Sequence, residues 1–164
     1  MATKISLEHK FSKGIDKVWA MYGDRAFFEQ KYKATGCTNI EVLDYKSSDK
    51  GFSITVRYDS KSDAPIPDFA KKFLPERITV TQTDSWDAAS KTGKIVTELK
   101  NVPMKLSAEM KLEAAGKGAV NKMSWTLSSG IPLVGGKLES ALAEDVKVKS
   151  ARDEQASQKL LEAY

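Results

Sequence analysis

Ser129-Gly130-Ile131-Pro132-Leu133-Val134-Gly135-Gly136-Lys137-Leu138-Glu139 is the stretch on which the reading of this fold turns. Pro132 has its φ fixed near the helical value, which suits it to a first helical turn. After Gly136 neither proline nor glycine interrupts the chain to Tyr164. Leu138, Leu142 and Val146 recur every fourth residue and form one apolar stripe along a long helix. Gly135-Gly136 is expected to let the start of that helix pass close to a sheet. Most of the chain before it reads as strand. One long helix laid on a curved sheet leaves a trough between them, and a trough of that kind suits an apolar ligand.

At 164 residues the chain has the length of one domain, residues 1–164, able to bury most of its apolar surface in a single core. A hydrophobic fraction of 41% argues against global disorder. Met1 to Phe11 alternates apolar and polar residues with Lys4, Glu8 and Lys10 inside it, unlike a secretory h-region. The apolar runs are too short to span a bilayer, and a cytoplasmic location is expected. Cys37 is the one cysteine, which excludes an internal disulfide, and it reads as a small residue after a turn at Gly36. The net charge of +4 comes mostly from lysines, and these alternate with acids instead of massing in a block. Nucleic acid is therefore not an expected partner. Weak contact with an anionic membrane surface stays open, as does the oligomeric state.

Ile5, Leu7, His9 and Phe11 share one face of a first strand. Ser12 is placed to cap a helix carrying Ile15, Val18, Trp19 and Tyr22, which Gly23 breaks. Asp24 is placed to cap a second helix with Phe27, Phe28, Lys31 and Tyr32, which Gly36 ends. Six strands follow, over residues 39–45, 51–60, 76–87, 94–100, 104–113 and 119–128. Turns at Ser48 to Gly51, Lys91 to Gly93 and Gly116 to Gly118 suit antiparallel hairpins. The connection from Ser62 to Pro75 differs, holding Pro65, Pro67 and Pro75 around a short helical turn with Phe69 and Phe73. A long connection with its own apolar residues often serves a site, and it is expected to act as a gate.

The order strand, two short helices, six strands, long helix defines an α+β helix-grip fold: a seven-stranded curved antiparallel sheet around a long C-terminal helix. In this order, in Val18-Trp19 and in Gly23-Asp24 before an aromatic helix, the chain resembles the START-like superfamily. That superfamily includes the birch-pollen-allergen-like proteins and the polyketide cyclases. Within it the chain is most similar to an uncharacterised bacterial family. Glu8-His9-Lys10-Phe11, Pro67-Asp68-Phe69, Thr83-Asp84-Ser85-Trp86, Asn101-Val102-Pro103 and Ile131 to Glu139 carry that likeness. Lys13-Gly14-Ile15 stands where the superfamily usually has a proline pair at the start of the first helix. The resemblance implies a cavity between sheet and helix but no particular ligand, because the superfamily mixes carriers, enzymes and co-chaperone-like modules.

His9 is the single histidine, which with one cysteine argues against a structural zinc site and excludes a multi-histidine metal centre. No cofactor is expected. Ser128-Ser129-Gly130 is not a nucleophile elbow, and Gly135-Gly136-Lys137 is not a phosphate loop. No catalytic residue is assigned. The expected function is binding or transport of an apolar small molecule or lipid in the cavity. A cyclase- or dehydratase-type enzyme using His9 or Tyr58, and a co-chaperone-like interaction module, are the alternatives. The candidate ligand-binding residues are Phe69, Phe73, Leu138 and Leu142 at the mouth or wall, His9, Tyr58 and Trp125 deeper, and Phe27, Phe28 and Tyr32 at the other lip.

Overall fold

A computed structural model describes residues 2–62 and 66–164, so Pro65 lies outside the described residues. Strand β1 (Ala2–Phe11) leads into α1 (Ile15–Tyr22) and α2 (Arg25–Ala34). Then come β2 (Thr38–Ser48), β3 (Gly51–Lys61), a short 3-10 turn (Asp68–Ala70), β4 (Arg77–Asp87), β5 (Thr92–Leu99), β6 (Met104–Ala115) and β7 (Gly118–Ser129). Helix α3 (Gly135–Leu160) closes the chain with a last 3-10 turn at Leu161–Ala163. The seven strands form one antiparallel sheet in the order β1-β7-β6-β5-β4-β3-β2, the expected helix-grip architecture. At 1.5 Å per residue, the 26 residues of α3 reach about 39 Å. The helix lies on β1 and β7 and meets α2. Among the described residues no helix is long and apolar enough to cross a membrane.

Three local expectations are corrected. Ser12 does not cap α1: Gly14 holds the N-cap without a side-chain bond, and Ser12 Oγ accepts from Gln158 Nε2 at 2.6 Å. Pro132 sits in a turn, and α3 begins only at Gly135. The reason is Leu133, whose φ of 71° is left-handed and breaks the helical path directly after the proline. Gly135 and Gly136 are not required by a close approach, since a Cβ at Gly135 would meet Ser129 no nearer than 3.6 Å and Gly136 faces open space. Asp24 does cap α2, accepting from the Ala26 amide at 3.0 Å, and Gly36 follows that helix at φ 89°.

Helix α3 is pinned at its start by Glu139, whose buried carboxylate accepts from Thr3 Oγ1 at 2.8 Å and from the Ser129 amide at 3.0 Å. Beyond it, Leu138, Leu142 and Val146 join Ala70, Leu74, Met104, Leu106 and Leu127 in one apolar cluster. A second and larger cluster gathers α1, α2, β1 and the strands from β3 to β7 around Phe27, Phe28, Tyr58 and Trp86. Ile78, Leu99 and Trp125 touch both clusters. Two cores therefore share this sheet, and they meet without filling the space between them.

Trp86 shows how tightly the larger core is built. Its ring stacks on Tyr22 at 5.5 Å and covers Gly93, its register partner on β5. A Cβ on Gly93 would lie 2.6 Å from Trp86 Cδ2 and 2.8 Å from the Ser85 carbonyl oxygen. Gly93→Ala is therefore expected to cost about 1–3 kcal/mol by overpacking. A urea midpoint equal to that of the unaltered protein would show that Trp86 can move aside freely.

Candidate functional site

A cavity of about 180 Å³ lies where the two cores meet, roofed by α2 and α3 and floored by β3 to β7. His9, Phe27, Phe28, Tyr32, Tyr58, Trp125 and Leu142 all line it. Phe27 and Phe28, expected at an outer lip, are almost fully buried because α2 turns its aromatic face into the core. Phe69, Phe73 and Leu138 do not reach the cavity. Leu138 is wholly buried in the α3 cluster, and Phe69 and Phe73 pack on that cluster around the 3-10 turn. The partly or fully exposed lining residues Thr35, Cys37, Lys61, Ser62, Lys149, Ser150 and Arg152 gather where α2, β3 and the middle of α3 converge. That convergence is the opening.

The lining is apolar in bulk and polar at chosen points. Tyr32 stacks on Tyr58 at 4.3 Å. The Tyr58 hydroxyl donates to Gln82 Oε1 at 3.2 Å, and Gln82 Nε2 donates to Asp84 Oδ1 at 2.9 Å. Burial raises the Asp84 carboxyl, against the opposing pull of Lys31 and the Gln82 hydrogen bond. Burial likewise pushes the Tyr32 and Tyr58 hydroxyls up, so both remain protonated donors. The Cys37 thiol is raised by the same cause, which makes it a poor nucleophile. Among the described residues, four buried side-chain polar atoms have no hydrogen-bond partner: Tyr32 Oη, Thr97 Oγ1, Asn121 Oδ1 and Trp125 Nε1. All four belong to residues that line this cavity.

A charged cluster stands at the α2–α3 side. Lys31 Nζ lies 3.2 Å from Asp153 Oδ2 and over the rings of Phe27, Phe28 and Tyr32. His9 Nε2 is 2.8 Å from Ser150 Oγ, and its Nδ1 is 3.9 Å from Asp153 Oδ1. Ser157 Oγ donates to the same Oδ1 at 3.1 Å. Burial lowers the His9 imidazole below its ordinary 6.5; Asp153, Glu154 and a hydrogen bond to the Ser150 main chain oppose the shift, and Lys31 reinforces it. For Asp153, burial acts to raise the carboxyl, but Lys31, His9 and the Ser157 hydrogen bond outweigh it and hold the group below its ordinary value. The network therefore joins a neutral imidazole to an ionised carboxylate at neutral pH.

Residues 6–161 match the family described as Protein of unknown function (DUF2505). The chain belongs to that family. No curated protein matches it in sequence. Among solved structures it is similar to the Zhui aromatase/cyclase from Streptomyces sp. R1128, with a TM-score of 0.70 and 13% identity over 99% of this chain and 94% of that one. It is also similar to Ara h 8.0201, with a TM-score of 0.68 and 16% identity over the whole of both chains. Norcoclaurine synthase from Thalictrum flavum, in complex with dopamine and hydroxybenzaldehyde, aligns at a TM-score of 0.66 and 13% identity over 100% of this chain and 88% of that one. These likenesses establish the START-like fold.

Several lining residues were not singled out from the sequence. Asp84 alternates with Val80, Gln82 and Trp86 on the inward face of β4, and a carboxylate on a core face is itself a signal. Continuing the α3 stripe past Val146 by fours and threes lands on Ser150, Asp153 and Ser157, so the inward face of the helix turns polar halfway along. Read that way, the sequence places a serine and a carboxylate on the inward face of α3, and the structure brings His9 against them.

The depressed imidazole carries a pH signature. An unfolded histidine takes up a proton near pH 6.5 while buried His9 resists it, so folding stability falls as pH drops below 6.5 toward the lower native value. Asp84, raised by burial, slopes the other way in the acid range, and Asp153, held low, adds a loss only at still lower pH. The difference in stability between the unaltered chain and His9→Gln is therefore expected to shrink as pH falls through 6.5. A difference independent of pH between 7.5 and 5, about the range in which histidine titrates, would show that His9 protonates as freely folded as unfolded.

Proposed function

We infer that this protein binds a compact, largely apolar small molecule in the cavity between sheet and helix, as a carrier or sensor. The observation that carries the reading is that the four buried polar atoms without a hydrogen-bond partner in the geometry of the described residues all belong to residues lining one apolar cavity. Native interiors leave few such atoms unpaired, and a guest bearing a donor and an acceptor would pair several at once. At about 180 Å³ the cavity is close to the ~150 Å³ that accepts a benzene ring and below the usual range for drug-sized ligands, which favours one or two rings over a long-chain lipid. The norcoclaurine synthase complex, with dopamine and hydroxybenzaldehyde, shows that a fold of this kind can hold guests of that size. His9, Tyr32, Tyr58 and Trp125 would orient the polar groups, while Phe27, Phe28 and Leu142 supply apolar area.

A cytoplasmic location and weak contact with anionic lipid head groups belong to the same proposal, supported by a lysine-rich chain of net charge +4. A second reading, acid catalysis in the cavity, is favoured by the buried Asp84 carboxyl, which its surroundings keep protonated to higher pH than usual. Native mass spectrometry of the purified protein tests the first reading by detecting a retained small molecule. Fluorescent 2-naphthol, which has two rings and one hydroxyl, serves as a defined probe. Trp125→Phe keeps the ring bulk and removes the orphaned indole N–H, so 2-naphthol binding should weaken by about 0.5–1.5 kcal/mol. Equal affinity in the two proteins would show that the indole N–H does not meet the guest.

A further inference from the structure

We propose that Ser150, His9 and Asp153 act as nucleophile, base and orienting carboxylate in the cleavage of a carboxylic ester held in the cavity. The proposal rests on the reading that the cavity binds a compact molecule, and it adds a reaction to that binding. Ser150 and Asp153 stand three residues apart on α3, so both side chains leave the same helix face toward β1. There His9 Nε2 lies 2.8 Å from Ser150 Oγ, within the reach expected of a nucleophile and its base. Asp153 Oδ1 lies on the opposite side of the ring, 3.9 Å from Nδ1. That spacing exceeds a hydrogen bond, as catalytic pairs often do before substrate draws them together. All three residues line the cavity, and Ser150 is only half-buried among the residues of the opening.

The reaction uses the tautomer with its proton on Nδ1, on the Asp153 side, so that the Nε2 lone pair accepts the Ser150 hydroxyl proton. The Ser150 main chain, which also bonds the ring, favours the opposite tautomer, and substrate must displace that contact. Low imidazole basicity from burial keeps that lone pair free at neutral pH. In the forward step, Ser150 Oγ bonds to the ester carbonyl carbon while its proton passes to Nε2. The carbon–oxygen bond to the alcohol then breaks, and the leaving oxygen takes that proton. Water attacks the acyl-Ser150 carbon, gives a proton to Nε2, and the Oγ–carbon bond breaks as Oγ recovers a proton. Ester and water become acid and alcohol, with no oxidant or reductant. Charge building on the carbonyl oxygen would be offset by the Lys31 ammonium, held 3.2 Å from Asp153 inside the same cavity.

The probe is 2-naphthyl acetate, whose cleavage releases 2-naphthol, and diisopropyl fluorophosphate traps an activated serine as a stable adduct. Peptide mass spectrometry is expected to place the phosphoryl adduct on Ser150. Ser150→Ala and His9→Gln should each lower 2-naphthol release by on the order of 10²–10⁴-fold while keeping a native near-ultraviolet dichroism spectrum. Asp153 is a positioning residue, and its mark is the pH profile. The charges facing His9 are Asp153 and Glu154 from α3 and Lys31 from α2, so Asp153→Asn should move the acid limb of labelling to lower pH. Adducts confined to lysines, or an unlabelled Ser150 in protein that still binds 2-naphthol, overturn the proposal and leave the binding reading standing. Protein that neither binds 2-naphthol nor labels at Ser150 removes both.

Discussion

Lys31 reaches inward from α2 until its ammonium lies 3.2 Å from the Asp153 carboxylate of α3 and about 5 Å from three aromatic ring centres. Both charges give up much of their hydration there, so the pair contributes little net stability by itself. Losing either partner is another matter, because the remaining buried charge would cost about 3–5 kcal/mol. The pair therefore acts as a constraint on geometry. It fixes the rotation of α3 about its own axis where the helix meets α2, and that rotation decides which residues face β1. With Asp153 turned inward, Ser150 one turn earlier must face inward too, and His9 is the β1 residue that receives it. The placement of Ser150 and Asp153 against His9 thus goes with an ion pair that spans two helices.

The cavity has a physical origin in the same arrangement. Glu139 pins one end of α3 to β1 and β7, and Asp153 pins its second half to α2. A helix held at both places bridges the sheet, and the two apolar clusters close on either side of the gap. Orphaned polar atoms usually carry a penalty of about 1–3 kcal/mol each, against a typical domain stability of about 5–15 kcal/mol. Four of them around one cavity amount to a serious demand, concentrated where a guest could meet it. Scattered through the core, the same atoms would signal poor packing. Gathered here, they belong to residues that line one cavity.

Strand and helix order was legible in the sequence because period-two alternation and helical stripes survive in a chain with one buried sheet face. Ile5, Leu7, His9 and Phe11 show it on β1, and Met104 to Leu112 show it on β6. What misled was local geometry set by tertiary contacts. Leu133 takes a left-handed conformation that propensity does not announce, so Pro132 loses its place in the helix. Ser12, a good cap by residue type, is drawn off by Gln158 from the far end of the chain. For the site, strand and helix pattern identified His9 and walls such as Phe28, Tyr58 and Leu142, but not the other polar members. Gln82, Asp84, Thr97 and Ser150 occupy positions that an apolar template treats as breaks, yet their register places them on the inward face.

Fold alone does not select a function, since proteins as unlike as an aromatase/cyclase and Ara h 8.0201 share this architecture. Two serines on one helix face of this chain stand in different surroundings. Ser157 is fully buried, and its hydroxyl is spent on Asp153 Oδ1, where it steadies the carboxylate. Ser150 lies two turns earlier at the opening, half-buried, with its hydroxyl directed at His9. A network serving only to fasten α3 would gain most from a hydroxyl sealed away from solvent, as Ser157 is. The residue bonded to the single histidine is instead the one that a molecule entering the cavity would meet. One serine holds the carboxylate and the other borders the cavity beside His9, so a single helix face carries both a buried anchor and an accessible hydroxyl.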